Sequence, residues 1–222
     1  MSVYRSPDDR RVDTAVLLAL WARCAQHPRE DAGDKLRQMK LAFLASLALN
    51  EANFRGLTLT FFRWTWGPMS NEVYEAWSIL KRAGMIESDE HIVLTRAGEA
   101  FARAFYDEVV RDESNTPLRV VFDSLESAWR NRPATAPLLD AVYSVCLAPA
   151  GQAEALPIRD MSNGIELIVP VDPRGAAATI SVDGGWLETL ALEFNPRFAA
   201  DIEAGMNDFV DGRVAVACRP VQ

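Results

Sequence analysis

Apolar residues recur along the first half of the chain at three- and four-residue steps, and along the last third at every second residue. Val16, Leu17, Leu20, Trp21 and Cys24 predict a helix over residues 13–26, with Asp13 or Thr14 as its cap and Pro28 ending it. Leu36, Met39, Phe43 and Leu47 form one stripe of a second helix over 34–52. Leu41, Leu44 and Leu49 widen that stripe to a central, packed helix. Its first turns carry Lys35, Arg37 and Lys40, which predicts a wet, basic end.

From Gly56 to Trp66 the Thr, Phe and Trp content predicts an extended segment, broken by Gly67-Pro68. A helix over 70–83 follows, with Ser70 as its cap, Val73, Trp77 and Leu80 inward, and Gly84 as its stop. Residues 85–86 and 91–94 read as two short strands around a polar turn. Thr95 then opens a helix with Phe101, Phe105 and Val109 inward. Helix, helix, extended segment, helix, hairpin, helix is the order of a winged helix, in which the helix before the hairpin docks and the hairpin is the wing.

Two further helices are predicted over 116–131 and 135–147, with Pro137 near the start of the second, and a small, polar linker over 148–155. Then the period becomes two: Ile165, Leu167, Val169 and Val171; Thr179–Val182; Leu190, Leu192 and Phe194. Gly184-Gly185 reads as a hairpin turn. A helix through Phe198, Ile202, Met206 and Phe209 and a strand over 214–216 complete the chain. The fold class is therefore α+β, in three parts: a mainly helical, winged-helix-like domain over 1–112, a helical extension over 113–150, and a small α+β unit over 156–222, packed on the helices because about 65 residues bury little alone.

With 49% hydrophobic and 24% charged residues in 222, the chain has the composition of a globular protein. The net charge of −8 is unevenly spread: residues 1–60 carry nine Lys and Arg against seven Asp and Glu, whereas 113–222 carry eight against fifteen. An acidic surface repels a phosphate backbone, which disfavours nucleic acid and favours a protein partner. The candidate docking helix, 70–83, is itself neutral and puts Glu72 and Glu75 in its first two turns, a poor pattern for reading DNA. Three widely spaced cysteines (Cys24, Cys146, Cys218) predict buried free thiols rather than a disulfide framework or zinc site. The polar N-terminus and the lack of a long uncharged apolar run predict a cytoplasmic protein without membrane spans.

Candidate chemistry is sparse. Both histidines, His27 and His91, fall at predicted surface positions, and no phosphate-binding, zinc-protease or nucleophile-elbow motif occurs. The expectation is a non-enzymatic protein with no cofactor and no metal. The densest cluster of unusual residues is Phe61–Tyr74. Strand alternation puts Phe62, Trp64 and Trp66 on one side and Phe61, Arg63 and Thr65 on the other. The first set either fills the core or anchors a partner, because Trp, Tyr and Arg dominate interface hot spots. Arg63, Trp64, Trp66, Gly67, Pro68, Asn71 and Tyr74 are the candidate partner-binding residues.

Over roughly residues 35–105 the chain resembles the Panacea domain, the SocA-like antitoxin family. The likeness is carried by Lys40-Leu-Ala-Phe-Leu-Ala-Ser46, by Phe62-Arg-Trp-Thr-Trp-Gly-Pro-Met-Ser-Asn-Glu-Val-Tyr74 and by Leu94-Thr-Arg-Ala-Gly98. The Gly-Pro and Val-Tyr portion is the more specific; Leu-Thr-x-x-Gly is common to many winged helices. This chain differs in having a helix before the match and an acidic tail of more than 100 residues after it. The resemblance implies a protein that neutralises a toxin, or adapts it for proteolysis, by direct contact. A winged-helix transcription regulator, and a structural subunit of a larger complex acting as a homodimer, are the alternatives.

Overall fold

The structure is a computed structural model that describes residues 5–87, 91–148 and 154–195. Its class is α+β. Helix α1 (Pro7–Cys24) runs through the centre, with every residue from Val12 to Trp21 buried. It packs against α2 (Lys35–Glu51), α3 (Asn71–Arg82), α4 (Arg96–Phe105), α5 (Thr116–Trp129) and α7 (Gly184–Glu193). A helix covered on all sides needs apolar residues around its whole circumference, and the Ala/Leu run of α1 supplies them.

Helix α1 starts six residues before the predicted position. Ser6 and Asp9 form a reciprocal cap, each side chain accepting from the other's backbone N–H at 3.0 and 2.9 Å, with Pro7 in the first turn. Asp13 therefore caps nothing. Its buried carboxylate accepts from the Thr58 N–H at 2.9 Å, the Thr58 hydroxyl at 2.5 Å and the Arg5 guanidinium at 2.7 Å, tying α1 to the segment before the hairpin. Thr14 donates to the Arg10 carbonyl. Helix α2 begins as predicted, with Asp34 accepting from the Arg37 N–H.

Between α2 and α3 lie β1 (Phe54–Arg55), β2 (Phe61–Trp64) and β3 (Gly67–Met69). The single extended segment of the sequence reading is thus a hairpin: β2 and β3 pair antiparallel, Trp64 opposite Gly67, around the two-residue turn Thr65-Trp66. Gly67 does not break the segment. Its φ of +83° is the left-handed position that glycine takes just after a short hairpin turn.

The predicted wing is pinned down instead of standing free. Ile86 bridges Leu94, but the 91–94 segment also bonds the loop after α1: the Ala32 N–H donates to the Ile92 carbonyl, Ile92 N–H to Gly33 and Leu94 N–H to Pro28. Thr95 caps α4 by accepting from the Gly98 N–H, and a π-helical turn over Tyr106–Val110 extends α4 and turns Val109 inward. Helix α6 spans Thr135–Ser144.

The chain's later strands pair chiefly with earlier ones. After β4 (Cys146–Leu147) and β5 (Leu156–Pro157) pair with each other, β6 (Glu166–Ile168) joins β2 antiparallel and β7 (Ala178–Thr179) joins β1 parallel. The sheet order β3-β2-β6 makes β2 the central strand. Residues 184–194 are not a turn and a strand: Asp183 caps α7 by accepting from the Trp186 N–H, and Leu190 is buried on its inner face. The predicted helix over 198–209 and strand over 214–216, and part of the 148–155 linker, lie outside the described residues. Cys24 is buried and its thiol is pushed up to about 12 by burial; Cys146, predicted buried, is exposed on β4. Peptide mapping after brief treatment with a thiol-alkylating reagent is expected to find Cys146 modified and Cys24 intact, because the reactive species is the thiolate; equal labelling of the two would contradict this burial pattern.

Candidate functional site

Strand β2 puts alternate residues on opposite faces, and α2 decides which face is inside. Phe61 meets Phe43 edge-on at 5.5 Å and is fully buried, and Arg63 follows it inward. Trp64 is consequently 50% exposed, and Trp66, at the turn, 70% exposed. Their exposure rules out the core-filling role for these two indoles.

Gly67 and Pro68 are buried beneath the two tryptophans. The φ of +83° favours glycine at this corner, and a methyl group there would lie 3.3 Å from both the Lys40 ammonium nitrogen and the Tyr143 ring, a tight fit that would make those side chains give slightly. Tyr74 and Asn71 are exposed on the first turns of α3. Tyr74 rests edge-on against Trp77 at 4.9 Å, and Trp77 packs on Trp21 at 5.9 Å. A column of rings therefore runs from the surface to α1 and holds Tyr74 in place.

Trp64, Trp66, Pro68, Met69 and Tyr74 line one cleft of about 450 Å³ with Leu36, Met39, Lys35 and Lys40 of α2. It has the size and apolar walls of a binding pocket. Arg63 is not on its rim. The buried guanidinium donates to the Ile158 carbonyl at 2.9 Å and the Asn163 side-chain oxygen at 3.5 Å, and lies over the Tyr143 ring at 5.6 Å. Its backbone exchanges bonds with Ile165 and Gly164, so Arg63 clamps the 158–165 segment to β2 and acts on the cleft from behind.

The residue that the sequence reading does not single out is Lys40. That reading puts Lys35, Arg37 and Lys40 at a wet end of α2; in the fold Arg37 and Lys40 are buried. Arg37 donates to the carbonyls of Trp129 and Arg132, closing the end of α5. Lys40 is 1% exposed, and its ammonium donates to the Pro68 carbonyl at 2.8 Å. Burial, and secondarily the Arg63 cation, lower its pKa to about 7. The signal was present: Lys40 lies on the Leu36–Phe43–Leu47 stripe, four residues after Leu36 and three before Phe43.

Elsewhere the described residues offer little chemistry. His27 and His91 are exposed, and no group of three or more His, Cys, Asp and Glu among the described residues could hold a metal ion. No helix among them is long and apolar enough to cross a membrane. No family model, curated protein or solved structure matches the chain.

Proposed function

We propose that this chain is a non-enzymatic protein-binding module of the antitoxin or adaptor type, gripping a protein partner through Trp64, Trp66 and Tyr74 around the Gly67-Pro68 corner. The observation that carries the reading is the exposure of two indoles and a phenol around a single apolar cleft. Exposed aromatic rings clustered on a folded domain are costly to leave in water and are the side chains that dominate hot spots. The resemblance to the Panacea domain over roughly 35–105 supports the same conclusion, and its Gly-Pro and Val-Tyr elements supply the floor and one wall of the cleft. The succession of α3, the Ile86–Leu94 bridge and α4 agrees with a winged-helix-like order.

The regulator reading gains less support. Glu75 on α3 bridges Arg5 and Arg10, and Glu72 accepts from Ser70, so the helix that would enter a DNA groove carries engaged carboxylates in its first turns. The 91–94 segment is bonded to the α1–α2 loop rather than free to reach a second groove.

The test is a parallel pull-down from the native host with the wild-type chain and a Trp64→Ala/Trp66→Ala variant, followed by affinity measurement on the captured protein. Both tryptophans are exposed, so the variant is expected to keep its melting temperature within a few degrees. It should lose about 1,000-fold in affinity, two hot spots at about 2 kcal/mol each. Identical captures by the two proteins would remove the aromatic cleft from partner binding.

A further inference from the structure

The charge in the cleft is one-sided. The chain carries a net −8, yet the charged residues lining this cleft are Lys35 and Lys40, with no carboxylate among them. Arg63 adds a third positive charge behind the floor, and its polar partners are carbonyl and amide oxygens rather than carboxylates. A lysine ammonium has three N–H donors, and among the described residues only the Pro68 carbonyl accepts from Lys40. Holding this amine in its charged form with one neutral acceptor is unfavourable in the isolated protein, which therefore releases its proton far more readily than an exposed lysine. It becomes favourable when a carboxylate arrives.

We propose that the cleft receives an acidic segment of the partner protein in which an aromatic side chain lies next to a carboxylate. The ring enters between Trp64, Trp66 and Tyr74, and the carboxylate takes the free donors of Lys40. This rests on the protein-binding reading above and narrows it to a chemistry. The apolar walls of Leu36, Met39 and Met69 take up the ring's hydrophobic surface, and the ≈ 450 Å³ volume accommodates it with its neighbouring side chain. Lys35, which also lines the cleft and faces the Trp77 ring at 5.6 Å, adds an attraction that steers an acidic segment towards an otherwise acidic molecule.

The experiment uses the full chain and two synthetic peptides, Ac-Gly-Phe-Asp-Gly-NH2 and Ac-Gly-Phe-Asn-Gly-NH2, which differ by one charge. Binding is followed through the indole N–H signals of Trp64 and Trp66 in 1H–15N spectra, and repeated with Lys40→Met. The Asp peptide is expected to bind about tenfold or more tightly than the Asn peptide, the worth of a hydrogen bond to a charged group. In Lys40→Met that preference should fall several-fold, leaving only the weak, screened attraction of the remaining cations. Equal affinities in the wild type, a preference undiminished in Lys40→Met, or no shift of either indole with the Asp peptide would each overturn the proposal. The wild-type comparison stands even if the variant proves unstable. Loss of partner capture in the tryptophan variant alongside equal peptide affinities would refute this chemistry while leaving the protein-binding function in place.

Discussion

Gly98→Ala is expected to lower the stability of the fold by about 3 kcal/mol, the upper end of what overpacking costs. A β-carbon built on Gly98 falls 2.1 Å from the Met85 carbonyl oxygen, 2.9 Å from its carbon and 3.1 Å from its Cα. All three are backbone atoms, so no rotamer change can make room. The chain is fixed there from both sides: the Thr95 N–H donates to the Met85 carbonyl at 3.0 Å, the Thr95 hydroxyl to the Gly84 carbonyl at 2.7 Å, and the Gly98 N–H to the Thr95 hydroxyl at 3.0 Å. The Leu94-Thr-x-x-Gly98 element is thereby given a physical reason, a threonine that caps α4 and ties it to the end of α3, and a glycine that lets the two backbones touch. Gly84→Ala is the matched control. Gly84 has a left-handed φ of +66° and nothing within 4 Å of its added carbon, so it should lose only the backbone penalty, about 1–2 kcal/mol. Urea unfolding of the three proteins decides the matter; a Gly98→Ala loss no larger than that of Gly84→Ala would rule out the close approach.

Lys40→Met is expected to change the sign of its stability effect with pH. The folded state holds the Lys40 pKa at about 7, against 10.5 for the free side chain. Between those two values the unfolded chain binds more protons than the folded one, so wild-type stability from this group rises with pH through the window and is fully penalised below it. At about 1.4 kcal/mol for each pH unit, the ceiling is ~5 kcal/mol. Methionine removes the penalty but leaves the Pro68 carbonyl without its donor, a loss of about 1–3 kcal/mol. The variant should thus be the more stable protein at pH 6 and the less stable one at pH 10, with a crossing between. Urea midpoints at pH 6, 8 and 10 check this, and a wild-type-to-variant difference that stays constant across the three would mean that Lys40 titrates as an ordinary surface lysine. A cation kept where it destabilises the free protein is the kind of local inconsistency that marks a binding site.

Much of this fold is legible in the sequence. The helical periods of α2 to α5, the Gly84 stop and the Thr95 cap each follow from a few neighbouring side chains, and the structure has them close to where those residues put them. What escaped is non-local or degenerate. Alternation says that Phe61 and Phe62 face opposite ways, but only the presence of Phe43 on α2 determines which ring goes in. Leu190, Leu192 and Phe194 satisfy a period of two over so short a run that it hides a helical step from Leu187 through Leu190 to Phe194; Asp183 ahead of the two glycines was the better signal. The start of α1 was hidden because its first turn is polar, although Ser6-Pro7-Asp8-Asp9 spells a capping box. Lys40 is hard to read from sequence because lysine is usually solvated, so only its position on the apolar stripe points to burial.

The partnership of β2 with β6 has a consequence for biosynthesis. Strand β2 ends at residue 64 and its outer neighbour begins at 166, so a ribosome must deliver about a hundred more residues before the central strand is sealed. Until then the nascent protein carries its indole-bearing turn on a hairpin open along one margin, a form in which stray strands could anneal to it. The three-stranded sheet behind Trp64 and Trp66 is therefore complete only once the chain has doubled back to close its own seam.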